Sequence, residues 1–158
     1  MQASGIKGLL SRMKHRGAMK DRRQHPRIRP PEDTTVLIVD DSRTAIHMLK
    51  QVLMQGGYKT LEAPNGENGI DLARQNHPDL ILMDVVMPGM NGFQATREIR
   101  KNPATENIPI IMVSGNQQGT DQIWGTRLGA NDFIPKPVSR QELFQKVETL
   151  LHLNTQVA

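Results

Sequence analysis

The chain has 158 residues, of which 37% are hydrophobic and only 3% aromatic, so it can form one domain of ordinary size with an aliphatic core. It contains no cysteine, which excludes disulfides and thiolate chemistry and suits a reducing compartment, and we expect a cytoplasmic protein. No stretch approaches the roughly 20 apolar residues of a membrane span, and the first residues lack the apolar segment of a secretory signal.

The net charge of +4 is unevenly distributed. Residues 1–33 hold nine Lys/Arg and three Asp/Glu (net +6), whereas residues 34–158 hold eleven and thirteen (net −2). Within the basic part, four apolar residues follow helical spacing: Ile6, Leu9, Leu10 and Met13. Such a basic amphipathic segment can contact an anionic membrane or a partner, although a disordered tail that aids solubility also explains it.

This uneven distribution of charge predicts that the chain is divided into an extension, a domain and a tail. Residues 1–33 form a basic N-terminal extension, disordered or partly helical, whose arginine- and proline-rich end is typical of a linker. Residues 34–153 form the domain, and residues 154–158 form a short tail. The basic extension contains no aromatic residue, so it is a weak signal for nucleic acid, and we expect no nucleic-acid partner.

Strands and helices alternate five times from Thr34 onward. The predicted strands cover about 35–39, 58–63, 80–84, 108–114 and 132–135, and the predicted helices cover about 43–55, 67–75, 92–101, 120–128 and 140–151. This alternation is typical of an α/β fold, a doubly wound parallel sheet with helices on both faces.

The third predicted strand carries the most informative residue of the chain. Apolar residues run from Leu80 to Met83 and are followed by Asp84, after which Pro88-Gly89 and Asn91-Gly92 indicate turns. A parallel sheet binds its ligands at the carboxyl ends of its strands, where Asp84 would lie. Its position alone would also fit a solvated residue at a strand end.

Four of the five predicted strands end in a group able to do chemistry. These groups are Asp40 with Asp41, Asp84, Ser114 and Lys136. Carboxylates that crowd together need a cation to stay ionised, and oxygen ligands alone suit Mg²⁺. An ammonium and a hydroxyl beside them suit phosphoryl transfer to an aspartate. Each residue also has an ordinary interpretation: Asp41 as a helix cap, Ser114 as a strand end, and Lys136 as a solvated turn residue.

Two enzyme classes are disfavoured by the residues present. There is no Gly-rich phosphate-binding loop of the Walker type, which argues against a P-loop nucleotide enzyme. A hydrolase of the haloacid-dehalogenase type would carry a second aspartate two residues after its nucleophile, and that position is Val86. The residues therefore fit neither of these two enzyme classes well.

Four short segments together resemble the signature blocks of response-regulator receiver domains. They are Val39–Ser42, Met83–Gly92, Val113–Gly115 and Lys136-Pro137. The resemblance covers about 34–152, and the combination of motifs is highly specific. It implies a flavodoxin-like, CheY-like fold with strand order 2-1-3-4-5.

The resemblance also implies roles for the acidic residues. Asp84 corresponds to the phosphoacceptor, and Asp40 and Asp41 correspond to ligands of Mg²⁺. Asp84 and the backbone carbonyl of Val86 complete the protein ligands of that ion. Magnesium is thus the cofactor that the family implies.

Ser114 and Lys136 correspond to the residues that contact the phosphoryl oxygens. Phe133 matches the aromatic switch position, whose ring turns inward as Ser114 moves toward the phosphoryl group, although Phe133 could also be a plain core residue. The family often has a cis bond at Lys136–Pro137, which is plausible because X-Pro is the one inexpensive cis bond.

Two further segments, Asn91–Arg97 and Ile123–Phe133, are similar to the PilH-like regulators of type IV pilus twitching motility. This similarity implies a chemotaxis-like phosphorelay in which a CheA-like sensor histidine kinase donates to the chain. The phosphorylated form would switch binding to an output protein such as the pilus motor machinery. The chain would be no enzyme beyond its own phosphoryl transfer and slow autodephosphorylation.

Two other functions stay open from the sequence. The chain could be a phosphate sink, which shares every motif with a partner-binding regulator. It could also be a DNA-binding transcription regulator that reads with its basic extension, although no segment for a C-terminal helix-turn-helix domain follows the fifth predicted helix. Monomer and weak dimer are both compatible with the sequence.

Overall fold

The structure is a computed structural model that describes residues 30–116 and 119–157, with side chains up to residue 152. The expectations for the amphipathic segment and for most of the basic extension lie outside these residues. Within the described ranges, no helix combines the length and the hydropathy that a membrane crossing requires.

Five parallel strands and five helices alternate along the chain. The strands are β1 (Thr35–Val39), β2 (Lys59–Ala63), β3 (Leu80–Asp84), β4 (Ile110–Ser114) and β5 (Asp132–Pro135). The helices are α1 (Arg43–Gln55), α2 (Gly66–Asn76), α3 (Gly92–Lys101), α4 (Thr120–Leu128) and α5 (Arg140–Val157). The sheet order is β2-β1-β3-β4-β5 and every pairing is parallel, which confirms the predicted fold class.

Two predicted boundaries differ from the observed ones by two residues or more. Strand β4 begins at Ile110 rather than at residue 108, because Pro109 lacks an N–H and the N–H of Ile108 donates to Thr105 within the preceding turn. Helix α5 extends to Val157 instead of ending at 151, because residues 152–157 contain neither glycine nor proline to stop it.

Alternate residues of each strand enter two separate cores. Val36 and Ile38 of β1 pack on one face of the sheet with apolar residues of α1 and α5. Leu37 and Val39 pack on the other face with residues of α2 and α3. A strand covered on both faces must be apolar throughout, which explains the continuous run in β3. Burying each such side chain contributes roughly 1.5–3 kcal/mol.

Side-chain caps fix where three helices begin. Ser42 accepts from the N–H of Ala45 at the start of α1, and Asn65 caps α2 in the same manner. Asn91 and Gln94 form a reciprocal capping box at the start of α3. Since Ser42 is the cap of α1, the alternative interpretation of Asp41 as the capping residue is wrong. Each of these helices starts close behind a strand end, which holds the intervening loop in place.

Candidate functional site

Three carboxylates meet where β1 and β3 end. Atoms of Asp40, Asp41 and Asp84 that could bind a metal all lie within 4.8 Å of one another. Strands β1 and β3 are neighbours with Val39 opposite Met83, so the residues that follow these two positions come together. Asp40 is 2% exposed and Asp84 is 5% exposed, whereas Asp41 is open to solvent.

The ammonium of Lys136 joins the two buried carboxylates. Its Nζ lies 2.9 Å from Oδ1 of Asp84 and 3.5 Å from Oδ2 of Asp40. The backbone N–H of Lys136 donates to the carbonyl of Ser114 at 2.8 Å, which extends the β4–β5 pairing by one residue. The Lys136–Pro137 bond that follows is cis, as the resemblance implied. The structure therefore places Lys136 next to the carboxylates from which it is far apart in sequence.

Burial and charge shift the ionisation of this cluster. Burial raises the pKa of Asp84 above its usual range; the hydrogen bond from Lys136 opposes this, and the charges of Asp40 and Asp41 add to it. Burial lowers the pKa of Lys136, but the hydrogen bond to Asp84 and the charges of Asp84 and Asp40 outweigh it, so the net shift is upward. Asp84 and Lys136 each favour the charged form of the other, whereas Asp40 and Asp41 disfavour the charged form of Asp84. The cluster as a whole holds more negative than positive charge.

The donor set suits a hard divalent cation. It consists of carboxylate oxygens, with no histidine or cysteine in the group of residues that could bind a metal. Magnesium prefers such oxygen ligands. Its charge would relieve the repulsion among the three carboxylates, of which Lys136 contacts only two.

Ser114 lies beside this cluster, but its hydroxyl forms hydrogen bonds with residues outside the cluster. It ends β4, one residue beyond Val113, which lies opposite Asp84. Its hydroxyl donates to Oδ2 of Asp121 in the first turn of α4, and it accepts from the backbone N–H of Asn116 at 3.0 Å. Asp121 was not among the site residues predicted from the sequence. Its position in the first turn of the helix predicted after Ser114 could have indicated it.

Val86 and Phe133 have opposite environments. Val86 is 76% exposed in the loop after Asp84. Phe133 is buried, and its ring packs so closely on Gly125 of α4 that a Cβ there would lie 2.3 Å from the ring. This contact links β5 to α4. The roles that the resemblance implies for these two residues stay predictions.

The chain belongs to the family of response regulator receiver domains, whose family model matches residues 36–148. The protein is thus a two-component signalling module with a CheY-like, flavodoxin-type fold. The high resolution structure of chemotaxis protein CheY4 of Vibrio cholerae has a TM-score of 0.71 and 27% identity, covering 75% of this chain and 98% of that one.

The relatives include both short and long proteins. Protein PilH of Pseudomonas aeruginosa is 47% identical over 116 residues, which are 73% of this chain and 96% of PilH. Response regulator PleD of Caulobacter vibrioides is 35% identical over 115 residues, but these are only 25% of PleD.

A further solved structure bears on the metal. It is the receiver domain of sensor histidine kinase PA1611 from Pseudomonas aeruginosa, with a magnesium ion coordinated in its active site cleft. It has a TM-score of 0.72 and 28% identity, covering 76% of this chain and 98% of that one.

Proposed function

We propose that this chain accepts a phosphoryl group on Asp84 from a phosphohistidine of a sensor histidine kinase. The observation that carries the proposal is the convergence of Asp84 with two further carboxylates and the Lys136 ammonium at the carboxyl ends of the strands. Enzymes of phosphoryl transfer act mainly by positioning and charge neutralisation. The ammonium of Lys136 holds the buried carboxylate of Asp84 in position and can neutralise charge on the phosphoryl group.

The step exchanges one bond to phosphorus for another. A carboxylate oxygen of Asp84 attacks the phosphorus, an O–P bond forms, and the N–P bond to the donor imidazole breaks. The imidazole nitrogen keeps the electron pair and takes a proton. The product is an acyl phosphate on Asp84.

Other residues of the site neutralise the charge that arrives. Lys136, which contacts Asp84 before transfer, would contact a phosphoryl oxygen afterwards, and Ser114 would donate its hydroxyl to another. Asp40, Asp41, Asp84 and the Val86 carbonyl would hold Mg²⁺, which when bound neutralises charge on the phosphoryl oxygens. Slow attack of water on the phosphorus then breaks the O–P bond to Asp84, releases inorganic phosphate and returns the free carboxylate, and no other substrate is turned over.

The proposal extends to a partner-binding output. Ile123 and Trp124 of α4 are 58% and 53% exposed, and large apolar side chains on a surface are suited to binding a partner. Phe133 packs beneath the same helix, so a movement of its ring would reach this surface. The 47% identity to PilH supports a pilus-related role. Type IV pilus twitching motility as the process and a CheA-like kinase as the donor are what the resemblance in the sequence implies.

The test is phosphorylation by acetyl phosphate with Mg²⁺, measured by intact mass spectrometry. We expect the wild type to gain one phosphoryl group only when Mg²⁺ is present, and Asp84→Asn to gain none. Asp79→Asn is the matched control, because Asp79 lies at the opposite end of the same strand, where it accepts from the N–H of Thr35 at 2.7 Å. It should be phosphorylated like the wild type. A folded wild type that gains no mass would overturn the proposal.

A further inference from the structure

The hydroxyl of Ser114 already has a partner that competes with a phosphoryl group. A serine hydroxyl has a single proton to donate. In this structure that proton goes to Asp121, on the first turn of α4. The hydroxyl therefore cannot donate to a phosphoryl oxygen on Asp84 until the bond to Asp121 is broken.

The bond to Asp121 is of a strong kind. A hydrogen bond to an ionised carboxylate is roughly twice as strong as one between neutral groups. Ser114 is buried and Asp121 is partly buried, which limits competition from water. The Ser114 hydroxyl also accepts from the N–H of Asn116, so two groups outside the phosphoryl site hold it.

We propose that Asp121 is a positioning residue for the phosphoryl reaction: it holds the Ser114 hydroxyl on α4 in the unphosphorylated protein and opposes the phosphorylated state. This inference rests on the proposed function of Asp84. Because Asp121 belongs to α4, the same bond couples the state of the site to the helix that carries Ile123 and Trp124. Loss of the bond would free the hydroxyl and the start of the helix together.

The test measures affinity for beryllofluoride, an analogue of the phosphoryl group, in the presence of Mg²⁺. Trp124 is the only tryptophan of the chain and lies on α4, so its fluorescence can report binding. We expect Asp121→Ala to bind the analogue about tenfold more tightly than the wild type, which corresponds to about 1.4 kcal/mol. Asp121→Asn keeps a neutral acceptor, so its affinity for beryllofluoride should lie between those of the wild type and Asp121→Ala. Asp121→Glu keeps the carboxylate, so its affinity should be close to that of the wild type.

A double-mutant cycle separates this role from a general effect of charge. Removing Asp121 also removes a negative charge near an anionic ligand, which would tighten binding whether or not Ser114 is present. If Asp121 acts through the hydroxyl, Asp121→Ala should tighten binding less in a Ser114→Ala background than in the wild type, because only the effect of charge is left there. Asp71→Asn, on the exposed surface of α2, is the control for net charge and should match the wild type.

Several outcomes would contradict the proposal. Unchanged or weaker binding by both Asp121→Ala and Asp121→Asn, with circular dichroism showing intact folds, would overturn it. Equal tightening with and without Ser114 would also overturn it and assign the effect to charge alone. A wild type that binds no beryllofluoride would instead defeat the proposed function itself, so the two failures are distinguishable.

Discussion

At the edge where the strands end, three carboxylates lie together and the ammonium of Lys136 contacts two of them. At the edge where the strands begin, polar groups are matched more evenly. There Asp79 accepts from the N–H of Thr35, and Asn131 accepts from the N–H of Ile110. We call these regions the carboxyl edge and the amino edge.

Arg100 consolidates the amino edge. It donates at 2.7–3.0 Å to the carbonyls of Gly129, Glu106 and Ile108 and to the side chain of Asn131. Burial lowers the pKa of Arg100, so these bonds offset a real cost of desolvation.

The comparison shows that one sheet can hold a satisfied polar network at one edge and an excess of like charge at the other. The second arrangement costs stability but favours a cation and a phosphoryl group.

The largest effect is expected from Gly92→Ala at the carboxyl edge. A Cβ on Gly92 would lie 2.1 Å from the carbonyl oxygen of Asp84, and neither backbone can move freely. We expect a loss of about 2–4 kcal/mol in the free energy of unfolding, together with slower phosphorylation. Urea denaturation measures the first and intact mass the second. Gly115→Ala is the control, because no atom of the described residues lies within 4 Å of its Cβ, and a comparable loss there would refute the steric argument.

The next effect is pH-dependent and lies at the amino edge. Burial, with a smaller contribution from the charge of Glu148, raises the pKa of Tyr58 to about 12 from 10.0. The unfolded chain therefore ionises first, so stability is fully present below pH 10 and is lost as the pH rises toward 12. This loss amounts to about 2–3 kcal/mol.

Tyr58→Phe should remove that part of the alkaline loss. The difference between wild type and variant, measured by urea denaturation from pH 9 to about pH 12, isolates Tyr58 from the lysines that also titrate there. Tyr58 is the only tyrosine, so tyrosinate absorbance reports its pKa directly. A midpoint near 10 in the folded protein would show that its environment does not oppose ionisation.

Arg100→Lys should cost about 2 kcal/mol. Lysine cannot reach all four acceptors with one ammonium, and partly buried carbonyls that lose their donor are unfavourable. Urea denaturation is again the measurement. Arg97→Lys, on an exposed part of the same helix, should change stability by less than about 0.5 kcal/mol. Equal effects at the two positions would mean that the bonds of Arg100 contribute little.

The smallest effect is a gain at the carboxyl edge. Asp41→Asn removes one of three like charges, so without metal it should raise the free energy of unfolding by about 0.5–1 kcal/mol, less at high salt. It should also weaken stabilisation by added Mg²⁺, since a ligand that binds more weakly stabilises the folded protein less at a given concentration. Asp71→Asn serves as the surface control. If Asp41→Asn instead destabilised the metal-free protein, the idea of a repulsive carboxyl edge would fail.

The sequence alone determined the alternation of strands and helices and the residues that end each strand. Hydrophobic periodicity and caps are local properties, so β1, α1, α3 and α4 have the predicted bounds. Parallel pairing then made it certain that strand ends would share one edge. Asp84 and Lys136 were therefore predictable as neighbours once the sheet order was known from the family resemblance.

Only the tertiary structure decided which partner each polar group has. Arg100 bonds to Gly129 and Asn131 across about thirty residues, and nothing in its local sequence distinguishes it from Arg97. The hydroxyl of Ser114 could have pointed to Asp84 or to α4, and its bond to Asp121 depends on how that helix packs on Phe133 through Gly125. Local patterns fix which face of an element is buried, whereas the direction of a single side chain depends on the elements packed around it.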